Sequence, residues 1–96
     1  MARRVAYIVN PTAAAGRALV RWEAARAELW RRGLAGTECM TGGPGAGLDM
    51  ARRAASEADL LVAVGGDGTV SEVAGGLLQS GARARLAILP LGTGND

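Results

Sequence analysis

The chain has 96 residues, of which 49% are hydrophobic, 21% are charged and 3% are aromatic. This composition excludes intrinsic disorder and predicts one small domain whose core consists mainly of Ala, Val, Leu and Ile. The formal net charge is +2, and every basic residue is Arg, so the absence of Lys and His excludes a Walker A loop, Schiff-base chemistry, a Ser-His-Asp triad and a histidine zinc site.

The first predicted elements are a strand and a helix. Val5–Val9 is a short β-rich run that ends at Asn10-Pro11, and this pattern predicts a buried strand followed by a turn. Apolar residues at helical spacing predict a helix over residues 17–32, which ends at Gly33. Because Trp22 lies on the apolar stripe of this helix, we interpret it as a core residue rather than a platform for a base.

A second strand, a second helix and a third strand are predicted next. Residues 37–41 form the second, weaker strand, and Cys39, which cannot form an internal disulfide, is interpreted as a small residue of that strand. The second helix covers residues 46–57, with Asp49 in its first turn, as the helix dipole prefers. Residues 60–64 are a continuous apolar run, which is typical of a strand covered on both faces.

The last helix follows a glycine-rich loop. Residues 69–72 have the form of a capping box, in which Thr69 and Glu72 cap the start of this helix, and Gly81 ends it. Gly75 and Gly76 lie inside it at a cost of about 1 kcal/mol each relative to Ala. Its predicted buried face consists of apolar residues at helical spacing, which are Val70, Val73, Ala74, Leu77 and Leu78. Residues 86–89 are predicted to form a fourth strand.

The order βαβαβαβ predicts an α/β fold, an open parallel sheet with helices on both faces. We expect the strand order 2-1-3-4. Ligands of such sheets bind beyond the carboxyl ends of the strands, near the point where the strand order reverses. Four loops rich in Gly, Asn, Thr or Pro lie at that edge, and they are residues 10–16, 41–45, 65–69 and 90–96.

The loop 65–69 carries the strongest chemical signal. Its three glycines allow the backbone to approach a ligand closely, and the N-terminus of the following helix favours an anion, so a phosphate fits there. Asp67 would repel a phosphate unless a cation or a hydroxyl donor lay between them, so it indicates Mg²⁺ or a substrate hydroxyl as its partner. Purely structural roles for Asp67, Thr69 and Glu72, as turn or helix caps, stay open.

Three motifs in this order resemble the diacylglycerol kinase catalytic domain, a family that includes bacterial lipid kinases and sphingosine kinases. They are Asn10-Pro11, residues 65–73 and residues 90–96. The resemblance implies a nucleotide-binding fold similar to those of NAD kinase and phosphofructokinase, and ATP-dependent phosphoryl transfer to a lipid hydroxyl such as that of diacylglycerol. It also implies that residues 1–96 are the N-terminal, ATP-binding part of a longer enzyme, without the β-sandwich domain that follows in the family, and that this fragment alone is inactive.

The resemblance also implies site residues, carried over by matching position. The residues that would bind ATP are Asn10, Pro11, Thr12, Ala13, Ala14, Thr41, Gly66, Asp67, Gly68, Thr69, Val70, Ser71, Glu72 and Thr93. Asp67 would be the catalytic residue and the Mg²⁺ ligand, because it would orient the metal shell or the attacking hydroxyl. Ser71 stands where the family commonly has Asn, and Ala14 stands where it commonly has Gly.

The expected partners are ATP, Mg²⁺ and a lipid substrate at the membrane surface, with a cytoplasmic location peripheral to the membrane. A net charge of +2 without Lys clusters argues against nucleic-acid binding, and the oligomeric state is left open. An NAD kinase or a sugar-phosphate kinase shares the Gly-Gly-Asp-Gly loop, but the closing motif at residues 90–96 argues against both. A nucleotide-binding module without catalysis remains a further alternative.

Overall fold

A computed structural model describes residues 3–12, 16–43 and 45–91, in which four strands alternate with three helices. The strands are Val5–Val9 (β1), Thr37–Met40 (β2), Leu60–Gly65 (β3) and Arg85–Pro90 (β4), and the helices are Arg17–Arg31 (α1), Ala46–Ala55 (α2) and Asp67–Ser80 (α3). The predicted element order is therefore confirmed, with boundaries that shift by one or two residues.

The four strands form one parallel sheet in the order β2-β1-β3-β4, as predicted. In the register of the sheet, Ile8 of β1 lies between Cys39 of β2 and Ala63 of β3. Strand β2 lies on one side of β1, and β3 lies on the other side, so the strand order reverses between β1 and β3. The loops that follow β1, β2 and β3 consequently meet at the carboxyl edge of the sheet.

Helix α1 covers one face of the sheet, and its core contains the aromatic residues. Trp22 is completely buried, and its ring centroid lies 5.0 Å from that of Tyr7, which is in turn 5.4 Å from that of Trp30. The Trp22 Nε1–H group donates a hydrogen bond of 2.9 Å to Glu38, whose carboxylate also pairs with Arg26. The prediction that Trp22 is a core residue is confirmed.

Helices α2 and α3 cover the opposite face with small residues. The buried cluster on this face of the sheet consists of Ala6, Ile8, Ala51, Ala55, Leu61, Ala63 and Val73. Cys39 packs against this cluster, and burial raises the pKa of its thiol, in keeping with its interpretation as a small strand residue. The helices approach each other closely where a Cβ atom on Gly76 would lie 2.3 Å from the Leu48 carbonyl oxygen.

Two sequence predictions for α3 are wrong. The helix begins at Asp67 with Gly66 as its N-cap, so Thr69 lies inside the first turn and the expected capping box does not form. Leu78 is 81% exposed, whereas Val70 and Leu77 pack against the core. Gly76 lies against α2 at a point where only a glycine fits, because the two helix backbones come so close.

None of the helices in the described part of the chain combines the length and the apolar composition that a bilayer crossing requires.

Candidate functional site

A pocket of about 600 Å³ opens at the carboxyl edge of the sheet, where three loops meet. We name them by the strand that each follows, as the β1 loop (residues 10–12), the β2 loop (residues 41–43 and 45) and the β3 loop (residues 65–68). The lining residues are polar or lack a side chain, and they are Asn10, Thr12, Thr41, Gly42, Gly43, Gly66, Gly68, Thr69 and Glu72. The pocket is thus lined by residues with hydroxyl, amide and carboxylate groups and by glycines with bare backbone.

The β1 loop is held by hydrogen bonds of Asn10. Its backbone N–H donates to the carbonyl oxygen of Val64 at 3.1 Å, which ties the end of β1 to β3. Its side-chain oxygen Oδ1 accepts bonds from the backbone N–H and the hydroxyl of Thr12, at 3.1 and 2.8 Å. With the oxygen used inside the loop, the remaining polar group of the Asn10 side chain is its amide nitrogen, a hydrogen-bond donor.

The β3 loop brings bare backbone to the pocket. Gly65 has φ +153°, and a Cβ atom there would lie 2.7 Å from the hydroxyl oxygen of Thr69, so this turn requires glycine. A Cβ atom on Gly66 or Gly68 would meet no atom of the described residues within 4 Å, and both glycines line the pocket. Because α3 begins directly behind this loop, its first N–H groups and the positive end of its dipole favour an anion here.

Asp67 lies between these two glycines as the first residue of α3. Its side chain is exposed and is not part of the pocket lining. Among the described residues, no group of three or more Asp, Glu, Cys or His side chains is placed to hold a metal ion. A single carboxylate still fits Mg²⁺, which is usually held by one or two carboxylates together with substrate phosphates and water.

The β2 loop is fixed at both ends. At its start, the backbone N–H of Thr41 donates to the carbonyl oxygen of Val9 at 2.8 Å. At its end, the Glu72 carboxylate of α3 accepts bonds from the N–H groups of Gly45 and Gly47, both at 3.0 Å. Glu72 therefore caps the start of α2, a neighbouring helix, instead of the start of its own helix.

The structure brings together most of the predicted ATP-binding residues that it describes. Those that line the pocket are Asn10, Thr12, Thr41, Gly66, Gly68, Thr69 and Glu72. The side chains of Pro11, Asp67, Val70 and Ser71 do not line it, and Val70 instead packs against the core under α3. The predicted residues Ala13, Ala14 and Thr93 lie outside the described part of the chain.

Two further lining residues, Gly42 and Gly43, are absent from the residues carried over by resemblance. The sequence did contain a signal for them, because they lie in a glycine-rich loop that follows a predicted strand. That signal identifies the loop as a candidate, but it does not show which glycines face the pocket. Only the tertiary structure shows that both glycines line the pocket.

Comparisons with known proteins identify the family of this chain. A family model described as "Diacylglycerol kinase catalytic domain" matches residues 4–96. A diacylglycerol kinase of Staphylococcus aureus is 36% identical over 99 residues, which cover 100% of this chain and 31% of that protein. One of Staphylococcus epidermidis is 51% identical over 41 residues, which cover 43% of this chain and 13% of that protein.

The fold is also similar to a solved structure. The crystal structure of a diacylglycerol kinase from Bacillus anthracis superposes with a TM-score of 0.83 at 34% identity, and the match covers 98% of this chain and 36% of that one. The chain therefore spans only about a third of the length of the relatives that it matches throughout. With a family match over nearly its whole length, the chain belongs to the diacylglycerol kinase catalytic domain family.

Proposed function

We propose that this chain supplies the ATP site of a lipid kinase that transfers the γ-phosphoryl group to a lipid hydroxyl, such as that of diacylglycerol. The observation that carries the proposal is the polar pocket in which the β1, β2 and β3 loops meet. Its volume of about 600 Å³ is in the range of small-molecule sites. Family membership supports the lipid kinase activity, and the named relatives support diacylglycerol as the acceptor.

In this proposal the β3 loop binds the phosphates of ATP. Gly66 and Gly68 let the phosphates reach the backbone N–H groups at the start of α3, where the helix dipole also favours negative charge. Thr69, which is 5% exposed, places its hydroxyl at the wall of the pocket. Phosphoryl transfer depends mainly on positioning and charge stabilisation, so such a set of backbone donors suits the reaction.

Asp67 would hold Mg²⁺ together with the nucleotide phosphates, or would orient the attacking hydroxyl. The Mg²⁺ ion would neutralise negative charge on the phosphates. In the β1 loop, the amide nitrogen of Asn10 would donate to the nucleotide. We also propose that the 96 residues bind ATP without turnover, because the relatives are about three times as long and their remaining parts can contribute to catalysis.

The test has a binding arm and a transfer arm. Titration of the chain with a fluorescent ATP analogue in the presence of Mg²⁺ should give saturable binding that unlabelled ATP competes away. Incubation of a full-length protein containing this chain with γ-labelled ATP and diacylglycerol vesicles should label the lipid. Labelling of NAD or of a sugar phosphate instead, or binding without any transfer, would contradict the lipid kinase assignment.

A further inference from the structure

Glu72 belongs to α3, yet both oxygens of its side chain are bonded to the start of α2. We propose that Glu72 is a positioning residue, which holds the β2 loop in place across the pocket from the β3 loop and thereby sets the affinity for the nucleotide. The inference rests on the proposed function, because the pocket is taken to be the ATP site. It differs from direct binding of ATP by Glu72, the role that the family resemblance implies.

Glu72 caps the start of α2 although it is far from that helix in the sequence. Oε2 accepts the Gly45 N–H at 3.0 Å and Oε1 accepts the Gly47 N–H at 3.0 Å, across 27 and 25 residues of sequence. N–H groups in the first turn of a helix have no partner within the helix, and a carboxylate is favoured at this end of the dipole. Hydrogen bonds to an ionised acceptor are also stronger than those between neutral groups.

The helix backbones leave little room for another arrangement at this contact. A Cβ atom on Gly47 would lie 2.5 Å from Oε1 of Glu72, so any other residue there would require the carboxylate to move from its present position. One turn further along α3, a Cβ atom on Gly76 would lie 2.3 Å from the carbonyl oxygen of Leu48. Glycines on both helices thus permit the close approach that brings Glu72 to α2.

Glu72 is one of the hydrogen-bonding groups that position the described part of the β2 loop. Thr41 ties the start of the β2 loop to β1, and Glu72 ties its end to α3. Between these two anchors, Gly42 and Gly43 line the pocket, and a Cβ atom on either would meet no atom of the described residues within 4 Å. Gly42 and Gly43 have no side chains that could pack, so the described part of this loop is positioned by hydrogen bonds near its two ends, which include that of the Gly43 carbonyl oxygen with the Ala46 N–H group at 3.1 Å.

Direct contact between Glu72 and the nucleotide is less consistent with the geometry. Each of its oxygens is already bonded to a backbone N–H group, and a carboxylate repels the phosphates of ATP. The N-terminus of α2 is occupied by this internal anion, whereas the glycines at the start of α3 face the open pocket. The phosphates are therefore directed to the β3 loop and away from α2.

The first test uses Glu72→Gln in the whole 96-residue chain. The Gln side chain places an NH₂ donor against one of the two N–H donors, so the backbone ¹⁵N–¹H resonances of Gly45 and Gly47 should shift. The Kd for the fluorescent ATP analogue should rise about tenfold, as expected for loss of a hydrogen bond to a charged group. The matched control is Glu38→Gln, since both carboxylate oxygens of Glu38 also accept hydrogen bonds, but from the side chains of Trp22 and Arg26 under α1.

Glu38→Gln should lower Tm and leave Kd within about twofold of the wild type, because general destabilisation does not move the β2 loop. If Glu72→Gln raises Kd while the Gly45 and Gly47 resonances stay in place, Glu72 contacts the nucleotide directly and the positioning role is wrong. Unchanged Kd together with normal ATP binding by the wild type would also overturn it.

The second test combines two substitutions at the same contact. Gly47→Ala should raise Kd in the wild-type background, because the new methyl group displaces the Glu72 carboxylate. In the Glu72→Ala background the same change should alter Kd by less than about twofold, since the contact is already lost. If the two substitutions raise Kd by independent factors, so that their effects multiply in the double variant, the proposal is wrong.

The two proposals can fail separately. If the wild-type chain binds no ATP, the proposed function is wrong. The anchoring of the β2 loop is still decided by the Gly45 and Gly47 resonances, which must shift in Glu72→Gln and stay in place in Glu38→Gln. If they do not shift in Glu72→Gln, the anchoring itself is wrong.

Discussion

The two faces of the sheet are built from different residues and in different ways. On the α1 face, large rings of Tyr7, Trp22 and Trp30 fill the space, and the Glu38 carboxylate bonds to side chains. On the α2–α3 face, alanines and glycines bring helix backbones together, and the Glu72 carboxylate bonds to backbone N–H groups. The α1 face buries large side chains, whereas the α2–α3 face sets the positions of the loops around the pocket.

The largest expected effect is on the α1 face. Trp22→Ala removes a completely buried ring and its bond to Glu38, and it should lower the free energy of unfolding by about 3–5 kcal/mol. Urea unfolding followed by circular dichroism measures this change. Val20→Ala is the control on the same helix, because Val20 is 68% exposed. This substitution should change the free energy of unfolding by less than about 0.5 kcal/mol. Equal effects of the two variants would contradict the assignment of the core.

A smaller effect is expected from Gly76→Ala on the opposite face. The new Cβ atom would lie 2.3 Å from the Leu48 carbonyl oxygen and 2.8 Å from the Ala51 Cβ atom, so the helices must separate, at about 1–3 kcal/mol. Gly75→Ala is the matched control, since its Cβ atom would be 3.4 Å from the flexible end of Leu48 and Ala favours a helix. A destabilised Gly75→Ala together with a neutral Gly76→Ala would refute this packing.

At the pocket, Gly68→Ala should separate binding from stability. A Cβ atom there meets no protein atom within 4 Å, so the free energy of unfolding should stay the same or rise by up to about 1 kcal/mol. Because Gly68 lines the pocket, the added methyl group should obstruct a phosphate, which would raise the Kd for ATP about tenfold, or about 1.4 kcal/mol. Calorimetric titration and urea unfolding of the same sample measure both quantities. Unaltered ATP affinity would show that the phosphates bind elsewhere.

The smallest effect concerns Asp49 on the outer surface of α2. Its hydrogen bond with Arg52, helped by the nearby charge of Arg53, lowers the pKa of this carboxyl. The pKa of Asp49 is lower in the folded state than in the unfolded state. The ion pairs therefore stabilise the fold fully when the pH is above the unfolded-state pKa. This stabilisation is lost as the pH falls through the folded-state pKa. Tm of the wild type should therefore fall more steeply in acid than Tm of Asp49→Asn. Parallel curves would contradict this, and added salt should reduce the difference.

The wrong predictions share one physical cause. The spacing of Thr69 and Glu72 matches a capping box, but the N–H groups that Glu72 binds belong to residues 25 and 27 positions earlier in the chain. In an isolated helix, Gly75 and Gly76 would only lower the stability. In the folded chain, Gly76 is required where α3 meets α2. Leu78 continues the apolar pattern but lies on the exposed side. Local patterns carry no information about such distant partners.

The sequence by itself determined the parallel α/β fold, the order of its elements and the three described loops at the carboxyl edge. Continuous apolar runs specify buried strands, and glycines specify turns, so these features are encoded by neighbouring residues. Only the tertiary structure decided which glycines face the pocket and which helix Glu72 caps. Both depend on how closely α2 and α3 approach, and that distance results from packing between residues far apart in the chain.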